Sequence, residues 1–91
     1  MFWLREIVVE PATIEYLDAE IANDPRLSEV YWALEWRLTR HPEAGFPLSG
    51  PNPPRFLIKS DPRFVPYGIP VLTLIYRYTD TQVTIEVAKV N

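Results

Sequence analysis

Residues 71–90 read VLTLIYRYTDTQVTIEVAKV, and this stretch decides the fold. Two runs rich in β-branched and aromatic residues, Val71 to Tyr78 and Val83 to Val90, flank the short polar segment Thr79-Asp80-Thr81-Gln82. That pattern predicts an antiparallel hairpin. The turn lacks the Asn-Gly or Asp-Gly pair that a type I′ turn prefers. With Thr79 opposite Gln82, strict alternation sets Tyr78 against Val83, Tyr76 against Ile85 and Leu74 against Val87 on one apolar face. The other face pairs Arg77 with Thr84, Ile75 with Glu86 and Thr73 with Ala88. A slip by one residue would mix the two faces, so this register is expected.

Working back along the chain, Arg55 to Ser60 (RFLIKS) reads as another strand. Phe56 and Ile58 belong inside, and Arg55, Leu57 and Lys59 join the outer face. Residues 61–70 (DPRFVPYGIP) form a loop, in which Arg63, Phe64 and Tyr67 suit either base stacking or a hydrophobic plug. Residues 42–54 hold five of the ten prolines and two of the three glycines, so they form a loop with extended pieces. Pro51-Asn52-Pro53-Pro54 within it stiffens the loop or docks in an aromatic groove.

Before that loop come two helices. Helix two runs from Pro25 to Arg40, with Asp24 as its cap. Leu27, Val30, Tyr31, Leu34 and Leu38 make its apolar face. Helix one runs from Pro11 to Ala22, with Ile14, Leu17 and Ile21 as its stripe and Glu15 and Asp18 in solvent. Phe2 to Val9 is a first strand. The order is therefore β-α-α-β-β-β over a single domain, residues 1–91. The fold class is α+β, a helical hairpin packed on a small, mainly antiparallel sheet.

Composition narrows the chemistry. The 91 residues are 47% hydrophobic and 23% charged, which excludes a disordered chain. The absence of cysteine excludes disulfides, thiolate metal centres and cysteine nucleophiles. His41, the only histidine, belongs at the end of helix two, where a cation complements the helix dipole. No metal and no cofactor are expected. No Gly-rich phosphate loop is present, and no apolar run approaches the ~20 residues that span a bilayer. With no signal peptide at the start, a cytoplasmic location is expected. The net charge of −3 argues against a general nucleic-acid binder. Its distribution is uneven: residues 1–41 carry four Arg against eight Asp and Glu, and residues 42–91 five Lys and Arg against four Asp and Glu.

Trp32 and Trp36 stand nearly opposite the centre of helix two's apolar face. Trp is highly buried on average and enriched at interface hot spots. Two readings remain open. The pair binds a partner, including a second copy in a homodimer, or it is covered within the chain by helix one, the first strand or the Pro-rich loop.

The element order, Leu48-Ser49-Gly50 before the strand at 55–60, and Leu74-Ile75-Tyr76 followed by Asp80 and Val83 resemble the RelE/ParE superfamily. These are small toxins of type II toxin–antitoxin modules. The resemblance covers nearly the whole chain. It implies an antitoxin partner and action on translation, through the ribosome and its mRNA, or on gyrase. In the ribonuclease members it implies an active concave sheet face. Lys59 matches that branch's basic strand, while Leu57 does not. Thr73 stands where the branch has Arg, and its Arg and Tyr or His beyond the last strand have no counterpart before Asn91. Lys59 and Arg77 are then the candidates for holding a phosphate, and Glu86 for a base. A plainer expectation is that Arg77 and Glu86 form a cross-strand ion pair. The alternative function is a catalytically inactive relative that works as a protein-binding module through Trp32 and Trp36.

Overall fold

A computed structural model describes residues 4–50 and 53–91, apart from the side chain of Phe64. Two helices pack on one face of a five-stranded mixed sheet, so the class is α+β. The elements are β1 (Glu6–Val9), α1 (Pro11–Asn23), α2 (Arg26–Arg40), β2 (Phe46–Leu48), β3 (Arg55–Lys59), β4 (Leu72–Tyr78) and β5 (Gln82–Val90). Short 3₁₀ turns lie at Pro42–Ala44 and Pro62–Tyr67. The spatial strand order is β1-β5-β4-β3-β2. Among the described residues only β1 and β5 pair in parallel; the helical hairpin carries the chain from β1 at one edge over the sheet to β2 at the other, and β3 and β4 lead back to β5.

The first strand is shorter than its sequence suggests. Leu4 and Arg5 precede it, and Phe2 and Trp3 lie outside the described residues, as do Pro51 and Asn52. The Pro-rich stretch contributes an unexpected edge strand, β2, whose Phe46, Pro47 and Leu48 pair with Leu57, Phe56 and Arg55. Proline is tolerated there because an edge strand can spare one N–H.

The core lies between helices and sheet. Leu17 of α1 and Leu34 and Leu38 of α2 close over Leu74, Tyr76 and Ile85, all buried. The Tyr76 hydroxyl donates to Pro42 O at 2.5 Å and accepts from Gly45 N at 2.9 Å. Burial pushes this phenol up to about 12, so it stays a donor at any ordinary pH. A Cβ on Gly45 would meet Cε1 and Cζ of the Tyr76 ring at 2.9 Å, so a side chain there would have to displace the buried ring.

Helix one departs from the expected stripe. Ile14 is 44% exposed, and Thr13 and Leu17 are the buried pair. The rotation has a polar cause. Thr13 Oγ1 donates to Glu86 O at 2.7 Å, anchoring the helix start to β5. Helix two begins one residue later than expected, with Pro25 as its N-cap residue. Asp24 still works there, accepting from Arg26 N at 3.2 Å and pairing with the Arg26 guanidinium at 2.9 Å. The same guanidinium reaches Gly68 O at 2.9 Å, tying the start of α2 to the loop after β3. Gly68 has a φ of 80°, a conformation that favours glycine.

Candidate functional site

The hairpin register holds near the turn, with Tyr78 against Val83, Arg77 against Thr84 and Tyr76 against Ile85. Beyond it a β-bulge interrupts the ladder between Ile75 and Tyr76. Ile75 then pairs with Val87, Leu74 with Ala88 and Thr73 with Lys89, correcting the expected partners Glu86, Val87 and Ala88. Glu86 is the extra residue. A bulge turns two successive side chains toward one side, so Glu86 and Val87 both reach the outer face. Strict alternation had placed Val87 inside. The Glu86 carbonyl, displaced from the ladder, is the one that Thr13 satisfies.

The bulge gathers a compact ionic cluster. Arg55 Nε donates to Glu86 Oε1 at 2.7 Å and Nη2 to Oε2 at 3.1 Å. Arg77 Nη1 reaches Oε2 at 3.2 Å. The hydrogen bonds from Arg55, with the charges of Arg55 and Arg77 behind them, hold the Glu86 carboxyl below its ordinary value. A carboxylate gripped in this way is a poor proton acceptor.

Lys59 stands apart from that cluster. It pairs with Thr73, four residues along β4 from Arg77, a separation of roughly 13 Å at ~3.3 Å per residue. The three side chains considered for phosphate and proton handling therefore do not converge. What joins Lys59 across the sheet is Thr73 and then Lys89, both lysines exposed. The Thr73 hydroxyl between them is buried and has no hydrogen-bond partner among the described residues.

Between the lysine row and the arginine cluster lies an apolar row that crosses four strands. Phe46 pairs with Leu57, Leu57 with Ile75 and Ile75 with Val87. Phe46 is 71% exposed and Val87 48%. Sequence reading missed this row because it needs both the unexpected strand β2 and the bulge.

The second exposed surface is on α2. Trp32 and Trp36 are 65% and 59% exposed, so neither is covered within the described residues. Arg40 lies over the Trp36 ring at 4.0 Å from its centroid, a cation–π contact. Beside Trp32 a cavity of about 250 Å³ opens between the two helices, with Ile14, Leu17 and Tyr31 in its wall and Asp18 at hand. Burial, with Glu35 beside it, raises the Tyr31 phenol well above the ordinary range.

Other sequence candidates fall outside both surfaces. Arg63 is paired with Asp61 at 2.6 Å, Tyr67 is exposed, and the Phe64 side chain lies outside the described residues. His41 lies just past α2, with Nδ1 at 3.4 Å from Glu43. Among the described residues no group of three His, Cys, Asp or Glu gathers to hold a metal ion, and no helix is long and apolar enough to cross a membrane. No family model, curated protein or solved structure matches the chain.

Proposed function

We propose that this chain is a RelE/ParE-like module of the toxin–antitoxin kind that acts by binding protein, without cutting RNA. One observation carries the reading: the groups that nuclease chemistry would need are separated or already engaged. Glu86 is clasped by Arg55 and Arg77, and Lys59 lies about four residues away along the sheet. Against this, the Trp32 and Trp36 rings project into solvent, where large apolar rings are rare unless a partner covers them. The observed order, β-α-α-β-β-β-β, adds the edge strand β2 to the expected elements and keeps the helical hairpin on a mainly antiparallel sheet, which supports the family reading.

A second reading, an active toxin directed at translation or gyrase and neutralised by an antitoxin, is favoured by one feature. Lys59 and Lys89 flank the unpartnered Thr73 hydroxyl and present two cations on the outer sheet face. Induced expression in a bacterial host separates the two. Under the binding reading, any growth effect is lost in Trp32→Ala/Trp36→Ala and kept in Lys59→Ala. The opposite pattern, with translation arrested, supports the active toxin and overturns the binding reading.

A further inference from the structure

The two exposed apolar surfaces lie on opposite sides of the molecule and carry opposite charge. The α2 ridge projects away from the sheet, because Leu27, Leu34 and Leu38 on its other side enter the core. Glu29 and Glu35 border Trp32 and Trp36 on the helix, and Asp18 adds a third acid from α1; Arg37 and Arg40, in the last turn, are the cations of this group. The outer sheet face has the reverse balance. Lys59, Lys89, Arg55 and Arg77 surround the apolar row of Phe46, Leu57, Ile75 and Val87, against two acids, Glu86 within the cluster and Glu10 near Arg55.

We propose that these are the two halves of one head-to-tail contact, in which the Trp32/Trp36 ridge of one copy seats on the outer sheet face of a second copy. The inference rests on reading the Trp ridge as a protein contact, and it names the occupant. The choice of arrangement follows from coverage and charge. Ridge against ridge about a two-fold axis leaves the apolar row of the sheet face, with the exposed Phe46 and Val87, open to solvent. Sheet against sheet would oppose Lys59 and Lys89 to theirs. Only ridge against sheet face pairs acids with cations while covering both apolar surfaces. The body measures 35 × 29 × 23 Å, so a full face is of the same order as the ~800 Å² per partner that a standard interface buries. Because the two surfaces are different and lie on opposite sides, the contact is heterologous. Repeating it extends a row of copies instead of closing a symmetric pair. The flanking charges are exposed, so salt weakens the association.

Sedimentation velocity on the full chain tests this at low and high salt across a concentration series. The expected result is growth past the dimer with concentration, reversed by salt. Two variants, each altering only exposed side chains, decide the geometry: Trp32→Ala/Trp36→Ala removes the ridge, and Lys59→Glu/Lys89→Glu reverses the sheet face. Circular dichroism checks that each is folded. Each alone should be a monomer. Mixed in equal amounts, they should form a dimer that grows no further, since the mixture retains one intact ridge facing one intact sheet surface. A wild-type chain that is monomeric at every concentration, that stops at a salt-insensitive dimer, or whose two variants fail to associate when mixed would overturn the proposal. The growth experiment on the Trp variant judges the binding reading separately, since it scores a cellular effect and not self-association.

Discussion

Arg55 and Glu86, on strands that are not neighbours, meet across β4 in a two-pronged contact with distances of 2.7 and 3.1 Å. The bulge at Glu86 makes this possible by turning its side chain to the outer face beside Arg77. The cluster gives β3, β4 and β5 a shared polar clasp opposite the core.

This clasp predicts a pH dependence. A carboxyl whose value is lowered on folding adds stability that is complete above its unfolded value and lost as pH falls through its folded one. Glu86 is lowered from 4.5, so its contribution disappears on acidification below that point. Asp24 and Asp61 are lowered by their own arginines and titrate in the same region, so the difference between two proteins isolates Glu86. Melting temperature against pH should show Glu86→Gln below wild type at neutral pH, with the gap narrowing toward pH 3. A gap independent of pH would show that the carboxylate charge does not matter.

The Tyr76 hydroxyl has two backbone partners in a buried site, and removing it leaves Gly45 N–H without its acceptor. Tyr76→Phe should cost about 1–3 kcal/mol in urea unfolding. Tyr76→Ala also removes a fully buried ring, about 3–5 kcal/mol, enough to unfold a domain of this size in isolation.

Gly45 tests the same junction from the other side. Gly45→Ala places a methyl against the Tyr76 ring and should cost about 1–3 kcal/mol by overpacking. Combined with Tyr76→Phe, the loss should be less than additive, because the two residues are in contact.

The hairpin, the helical face of Leu27, Leu34 and Leu38, and the outward direction of Trp32 and Trp36 were all legible in the sequence, because each follows from a simple period of hydrophobicity. The bulge was not, although its signal was present: an unbroken alternation of VTIEVAKV would put Lys89 on the apolar face opposite Leu72, and one extra residue returns it to the outer face beside Thr73. Its consequences were lost with it: Val87 outside, Arg55 on Glu86 and Thr13 buried in place of Ile14. Strand β2 was hidden by Pro47, which reads as a strand breaker until the strand is known to lie at an edge.

Because both rings are exposed, Trp32→Ala/Trp36→Ala should leave stability within about 0.5 kcal/mol of wild type. Association through this ridge should weaken at least roughly thirtyfold, the equivalent of about 2 kcal/mol for a central Trp. Circular dichroism and sedimentation on the same sample check both halves. Loss of fold would mean the rings belong to the core.

The central claim is that the chain binds without cutting RNA, and the direct measurement is mRNA cleavage by the purified protein on translating ribosomes, read by primer extension. The account predicts no cleavage above the protein-free control, and no difference between wild type and Lys59→Ala. Strong cleavage by wild type that disappears in Lys59→Ala would contradict it and place a working nuclease site on the outer sheet face.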